Sequence, residues 1–224
     1  MNGMNGINIF YLLLGAFVLW RVYRFLRPKR PAVFTRRKQW ALTLAQPMVD
    51  ASSMTGFFNP ASDHMTDAAR ALFRVQLLHQ MEFRANATDD EVRQHLAHVF
   101  ESRWFRADLH ALLPTDDPRA ALAFACVRMA FFARNVMLMG WVEPMAAWRV
   151  LLLNAQRAQD CFASWEDFGH AFIAGRQQWL AAFRADPLGK SFDAASLRQL
   201  LAPPKGAWAA LAWPDLPAFS PEPR

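Results

Sequence analysis

A run of twenty residues that is apolar on almost every side constrains this chain more than any other feature. Residues 120–139 read AALAFACVRMAFFARNVMLM, and Asp117-Pro118 before them places an N-cap residue ahead of a proline at the first helical position. Gly140 follows the run and ends it. Because a helix that is apolar all round must pack on several sides, the run predicts the central helix of a folded core.

Helix start and stop signals recur on both sides of this run, whereas no segment shows convincing strand alternation. Thr88-Asp89-Asp90-Glu91 is a capping box, and Glu143-Pro144 and Ser164-Trp165 each open a further helix. We therefore expect an all-α fold, a single helical domain of about six to eight helices with an N-terminal transmembrane helix. Besides 118–139, helices are expected over 66–84, 88–100, 104–113, 143–161, 164–184 and 191–201. A further short helix within 35–46 either lies along the membrane or begins the domain, and a loop is expected over 47–63.

The N-terminal segment 7–26 predicts a membrane anchor. It includes twelve consecutive residues without a charge, 9–20, and Arg21 and Arg24 at its end have side chains long enough to reach lipid headgroups. The region before it lacks Lys and Arg and no small-residue cleavage site follows, which argues against a signal peptide. A helix lying flat in the interface and a buried core helix are the alternatives.

The positive charge of the chain is concentrated beside this segment. The first 49 residues carry eight cations and no acid, whereas residues 50–224 carry 17 basic and 19 acidic residues. A nearly neutral body argues against nucleic acid as a partner. The positive-inside rule places the body on the cytoplasmic side, and the belt is expected to face anionic lipid. The basic belt consists of Arg21, Arg24, Arg27, Lys29, Arg30, Arg36, Arg37 and Lys38.

These features divide the chain into five parts. Residues 1–6 form a short extracytoplasmic N-terminus, 7–26 the transmembrane helix, 27–65 a basic juxtamembrane segment and linker, 66–202 the helical domain, and 203–224 a proline-rich tail. The tail is expected to pack through Trp208, Trp213 and Phe219.

The residues that follow Ser164 carry the strongest local pattern. Trp165, Phe168, Phe172, Gly175 and Trp179 fall on one face of a helix. We interpret this face as core, with Gly175 allowing a neighbouring helix to come close and Ser164 as the N-cap. Arg128, Gly140-Trp141-Val142 and Ala147-Trp148 precede the pattern in two further helices.

Together these residues resemble the bacterial family known as domain of unknown function 1266. Asp167 stands where the family usually has Glu, Phe172 where Tyr is usual, and Phe124 near a usual Trp. The likeness covers residues 118–180 and extends over 66–117. It does not cover the anchor or the tail, and it implies a small helical bacterial domain with no agreed activity. From the anchor and its basic flank we expect a single pass through the bacterial inner membrane, with the body in the cytoplasm.

Polar residues within the apolar helix require partners. Arg128 and Arg134 both lie in it, and an unpaired buried charge is very costly. Carboxylates in the next two helices, including Glu143, are the candidates. The resulting polar cluster is interpreted first as a structural ion-pair network, with a small-anion site and a catalytic site as alternatives. The cluster comprises Arg128, Asp160, Glu166, Asp167 and Arg176.

Signals for other chemistry are sparse. Glu91, His95 and His98 share one helix face, which we interpret as a solvated surface, with a metal site as the alternative. Cys126 and Cys161 are expected to be reduced and inert. We expect no cofactor, no metal and no catalytic residue.

The functional expectation is a membrane-anchored, cytoplasm-facing helical module that binds a protein partner, in one version as an immunity- or antitoxin-like protein. Membrane lipid would be contacted through the N-terminal helix. An enzyme or small-anion sensor that uses the arginine–carboxylate cluster is one alternative. A lipid-associated structural membrane protein is the other.

Overall fold

The computed structural model describes residues 13–21, 33–102, 112–183 and 192–213, and all regular secondary structure in these ranges is helical. The chain divides into two compact units, Met1–Ala32 and Val33–Arg224. In the first unit, α1 covers residues 13–21. The second unit contains α2 (Arg36–Thr43), α3 (Gln46–Ser52), α4 (Asp67–Gln80), α5 (Asp89–Val99), α6 (Pro118–Leu138), α7 (Pro144–Cys161), α8 (Trp165–Phe183) and α9 (Ala194–Leu201). The expected all-α class is confirmed for these residues.

Helix α6 is the centre of the second unit, as its all-round apolarity predicted. The Asp117 side chain accepts a hydrogen bond from the Arg119 backbone N–H, and Pro118 occupies the first helical position. Sixteen of its 21 residues are buried, and it packs against α2, α3, α7 and α8. Among the described residues α6 alone is long and apolar enough to cross a membrane, yet 83% of its most apolar window lies inside the protein. It is therefore a core helix.

The predicted anchor lies mostly outside the described residues. Within it, α1 exposes Leu13, Leu14, Phe17, Leu19 and Trp20. The remainder of segment 7–26 lies outside the described ranges, as do Arg24, Arg27, Lys29 and Arg30 of the basic belt. Most of the expected helix 104–113 and Phe219 of the tail also fall outside them.

The folded unit starts at Val33, earlier than the residue 66 that the sequence suggested. Trp40, Leu42 and Leu44 are buried in the core, so α2 and α3 are part of the domain and not of a linker. The loop expected over 47–63 is wrong at its start, because Pro47 lies in the first turn of α3.

The residues after α9 close the core with tryptophans. Trp208 and Trp213 pack against Trp165, with ring centroids 5.0 Å and 4.8 Å away, and Trp40 lies 4.9 Å from both Trp165 and Trp213. Buried indole N–H groups need acceptors. Trp165, Trp208 and Trp213 donate to the carbonyls of Leu211, Thr43 and Phe162 respectively. The expected packing through Trp208 and Trp213 is confirmed.

Candidate functional site

The pattern residues of α8 build the core. The Ser164 hydroxyl accepts a hydrogen bond from the Asp167 backbone N–H at 3.0 Å and caps the helix. Trp165, Phe168 and Phe172 are buried. A Cβ on Gly175 would lie 2.0 Å from the Ala120 carbonyl oxygen on α6. The glycine therefore permits a backbone contact between the two helices, as the sequence predicted.

Arg128 packs on aromatic rings. Its guanidinium lies 4.4 Å from the centroid of the Trp179 ring and 5.6 Å from that of Phe124. Phe124 in turn contacts Phe172 and Trp179, so the last residues of the pattern support this cation–π arrangement. Arg176 is 6% exposed on the same helix as Trp179.

The carboxylates predicted to join these arginines lie elsewhere. Asp167 binds the guanidinium of Arg119 and accepts the Ala163 backbone N–H, and these bonds hold its pKa below the ordinary aspartate value. Asp160 accepts a hydrogen bond from Gln156, and Glu166 is exposed. Nine helical residues, a rise of about 14 Å, separate Asp167 from Arg176. The predicted single cluster is therefore split between two places.

Arg119 was missed in the sequence, although it also stacks on Phe162 at 4.4 Å and donates to the Cys161 carbonyl. Its position directly after Pro118 marks it as an exposed first-turn residue. Nothing in the sequence pairs it with Asp167, 48 positions away. Only the packing of α8 on α6 brings the two first turns together.

Arg134 corrects the expectation of a carboxylate partner. Its guanidinium donates to three backbone carbonyls of one loop, those of Phe57, Asn59 and Ser62, at 3.1 to 3.2 Å. Burial lowers its pKa to about 10, so the group remains charged at neutral pH. The charge is stabilised by peptide dipoles, and it fixes the loop that precedes α4 to α6.

Of the belt residues that the structure describes, some are exposed to solvent and others contact the folded domain. Arg21 and Arg36 are exposed, and Arg37 is half-buried. The Lys38 ammonium lies 4.6 Å from the ring centroid of Trp148 on α7. Lys38 is therefore engaged with the body of the protein and does not simply face lipid.

A group of arginines fastens α4 and α5 to the end of α6. The Asp89 carboxylate lies 3.2 Å from Arg70, 3.0 Å from Arg74 and 4.0 Å from Arg93. Arg70 also donates to the Met139 carbonyl and Arg93 to the Gly140 carbonyl. These bonds satisfy the C-terminal carbonyls of α6, which have no partners within the helix.

A cavity of about 650 Å³ opens between the end of α5 and the turn that joins α6 to α7. Such a volume is typical of small-molecule sites. Gly140 makes this turn with a φ of +70°, a conformation that favours glycine. The cavity is lined by Arg93, Leu96, Ala97, His98, Phe100, Glu101, Ser102, Gly140, Trp141, Val142, Glu143 and Ala146.

Most polar groups of this cavity already have partners. Arg93 donates to Asp90 at 2.7 Å, and Glu101 accepts two hydrogen bonds from Arg149 at 2.9 and 3.1 Å. The Ser102 hydroxyl donates to the carbonyl of His98 at 3.3 Å. No sequence pattern marks the cavity, because its two walls are separated by about forty residues along the chain.

The described residues contain no group of three potential metal ligands. Glu91 closes the predicted capping box with Thr88, and these hydrogen bonds lower its pKa. His95 packs edge-on against Phe83 at 4.9 Å. Burial raises the pKa of the Cys126 thiol to about 12, which leaves it protonated and unreactive at neutral pH.

Comparisons with known proteins identify a family but no characterised relative. The family model described as "Protein of unknown function (DUF1266)" matches residues 37–213, which cover α3 to α9 and all of α2 except its first residue. The search of curated proteins and the search of solved structures each returned no match. Since the family model matches most of the chain, from the first turn of α2 to Trp213, the protein belongs to the DUF1266 family.

Proposed function

We propose that this protein is a membrane-tethered helical module that binds a protein partner through the outer face of α4. The observation that carries the proposal is an apolar stripe on that face. Leu72 and Val75 are 62% and 54% exposed, and Ala68 and Ala71 extend the stripe along the helix. Single exposed apolar residues are common, but a continuous stripe is typical of an interaction surface.

The opposite face of α4 holds the stripe in place. Phe73, Leu77 and Leu78 are buried in the core, and Arg70 and Arg74 pair with Asp89. The Thr66 hydroxyl caps the first turn. The stripe is therefore presented on a helix that is already ordered, which reduces the entropic cost of binding a partner.

The charged residues that suggested an enzyme or an anion sensor make contacts with other groups of the protein itself. Arg134 binds loop carbonyls, Asp167 binds Arg119, and Arg128 lies on Trp179. The cavity near α5 is lined by none of them. These contacts favour the interaction module over chemistry at the predicted cluster.

The tether is proposed from the N-terminal sequence. Segment 7–26 is apolar, α1 exposes its large apolar side chains, and the flanking cations have the distribution of a cytoplasmic flank. A single-pass helix with the body on the cytoplasmic side accounts for these features. It would hold the α4 stripe close to partners at the membrane.

Site-specific photocrosslinking in cells tests the α4 interface. A photoreactive phenylalanine analogue is placed at Leu72, at Val75, and at Gln177, an exposed residue of α8 that serves as the control. We expect the same adduct from Leu72 and Val75 and none from Gln177. The variant Leu72→Lys should abolish the adduct formed from Val75, because it places a charge in the apolar contact.

Two results would contradict the proposal. Equal adducts from all three positions would indicate nonspecific collisions. No adduct from either α4 position, at expression levels where the protein is readily detected, would exclude a stable partner on this face.

A further inference from the structure

We propose that the cavity between α5 and the α6–α7 turn binds a small organic cation, an amine or guanidinium group carried on an apolar body. The cation would be held by the Glu143 carboxylate and the Nε2 atom of His98, both of which line the cavity. This ligand site is separate from the α4 stripe and does not depend on it.

The walls of the cavity are fixed by contacts between elements distant in sequence. The Arg93 Nε–H donates to the Gly140 carbonyl at 3.2 Å and ties α5 to the turn. Arg149 on α7 binds both carboxylate oxygens of Glu101, just beyond the end of α5. Both contacts come from the Arg149 Nη1 atom, so the pair holds the end of α5 at a fixed distance from α7. The cavity therefore exists before a ligand arrives, which favours binding.

Of the described side chains that line the cavity, the exposed groups without a partner, His98 Nε2 and the Glu143 carboxylate, are acceptors. The Trp141 indole N–H also lacks a partner, but it is buried in the wall. Arg93, Glu101 and Ser102 already have partners. The His98 Nδ1 atom lies 2.7 Å from the Gln94 carbonyl oxygen, which can only accept a hydrogen bond. In the neutral imidazole Nδ1 therefore carries the proton, and Nε2 presents a lone pair.

Glu143 supplies the negative charge of the proposed cation site. It precedes α7 as the N-cap residue, but its side chain makes no capping hydrogen bond. Within the described part of the chain no residue pairs with its carboxylate. The positive charge of Arg93 is balanced by Asp90, and the negative charge of Glu101 by Arg149. Among the described residues, Glu143 is therefore the lining carboxylate without a compensating charge.

These groups define the ligand. Two acceptors require a donor, and an uncompensated carboxylate favours a cation and disfavours an anion. The rest of the lining is largely apolar and suits an aliphatic or aromatic body. The apolar lining consists of Leu96, Ala97, Phe100, Trp141, Val142 and Ala146.

Saturation-transfer NMR with phenethylamine tests the site. The full-length protein is held in nanodiscs of zwitterionic phosphatidylcholine, and empty nanodiscs correct for partitioning into lipid. Phenylacetate has the same aromatic body with the opposite charge. We expect saturable binding of phenethylamine and none of phenylacetate.

Two matched variants locate the binding. Glu143→Gln should weaken phenethylamine binding at least tenfold without affecting the fold, because the side chain caps nothing. Glu166→Gln removes a carboxylate that is also exposed and also at the start of a helix, but lies outside the cavity, and should leave binding unchanged. Ala97→Phe fills the cavity and should abolish binding.

Three results would overturn the proposal. The first is no saturable binding of phenethylamine up to about 10 mM, where even a millimolar Kd gives a clear signal. The second is equal binding of phenylacetate. The third is unchanged affinity in both Glu143→Gln and Ala97→Phe, which would place the amine elsewhere. None of these results bears on crosslinking from α4.

Discussion

At the scale of single residues, Gly175 determines how closely α8 approaches α6. A Cβ at this position would meet both the carbonyl oxygen and the carbonyl carbon of Ala120, at 2.0 and 2.6 Å. Backbone atoms cannot rotate away as a side chain does. Gly175→Ala should therefore separate the helices and lower the free energy of unfolding by about 3 kcal/mol, at the upper end of ordinary overpacking.

Urea denaturation followed by far-UV circular dichroism measures this loss. Gln177→Ala, on the exposed side of the same helix, is the control and should change stability by less than about 0.5 kcal/mol. Equal stabilities for Gly175→Ala and the wild type would show that α6 and α8 tolerate a wider spacing.

The lowered pKa of Asp167 predicts that its contact with Arg119 is sensitive to acid. Its pKa is lowered chiefly by the hydrogen bond from Arg119 and then by that from the Ala163 N–H. Because the pKa is lower in the folded than in the unfolded chain, the stabilisation is complete above the unfolded value near 3.9 and disappears as the pH falls through the folded value. We expect Asp167→Asn to cost about 1 kcal/mol at pH 7, since the pair is partly exposed.

The test is a comparison of thermal stability at pH 7 and at about pH 3. The difference between wild type and Asp167→Asn should shrink at the acid pH, because this pH lies below the unfolded pKa and the unfolded chain then binds a proton that the folded carboxylate resists. A difference that is constant with pH would show that the variant acts through packing or capping and not through the charge.

Arg134 shows what residue patterns cannot reveal. The sequence correctly marked an arginine in an apolar helix as needing a partner, and it pointed to carboxylates. The actual partners are carbonyl oxygens of residues 57, 59 and 62. Every residue except proline offers the same backbone groups, so side-chain identity cannot predict which carbonyl will serve.

At the scale of elements, long patterns predicted better than short ones. Both ends of α6 and the starts of α5, α7 and α8 follow from capping residues, prolines and a glycine visible in the sequence. Helix α3 was missed, because seven residues give no helical period and Pro47 resembles a break. The irregular segment after α9 has no period at all, yet its Trp208 is among the most buried residues and its Trp213 packs, partly buried, against the core.

Trp208 makes the segment after α9 part of the folded core. It is 1% exposed, stacks on Trp165 and donates its indole N–H to the Thr43 carbonyl at 3.0 Å. Trp208→Ala should cost about 3–5 kcal/mol, the range for large aromatic truncations. Trp208→Phe keeps a ring but leaves the Thr43 carbonyl without this donor, so about 1–3 kcal/mol should be lost.

Chemical denaturation of the two variants and of Lys205→Ala, an exposed neighbour, gives the comparison. The expected order of stability is Lys205→Ala, then Trp208→Phe, then Trp208→Ala. If Trp208→Ala were as stable as Lys205→Ala, the segment after α9 would be dispensable for the fold.

At the scale of the whole molecule, the positive charge and the division into units overlap only in part. The second unit starts at Val33, and five of the eight belt cations precede it. The core aromatics and the partners of the buried arginines described above all belong to the second unit. Sequence patterns placed the start of the domain at residue 66, later than Val33, because the helices of residues 36–52 are short.

This division predicts that residues 1–32 serve attachment and contribute little to folding. Deleting them should leave the thermal midpoint of the second unit within about 2 °C of the full-length value in the same detergent, because no packing within residues 33–213 is removed. In cells, the full chain should stay in the membrane pellet after alkaline carbonate extraction, whereas the deletion variant should move to the supernatant.

A second variant tests the role of the positive charge separately from that of the apolar segment. With Arg21, Arg24, Arg27, Lys29 and Arg30 changed to Gln, the protein should remain in the pellet but lose its fixed orientation in a protease-protection assay. Release of the full chain by carbonate would contradict a spanning helix and favour an interfacial one, and a large fall in the thermal midpoint on deletion would mean that the first unit also supports the fold.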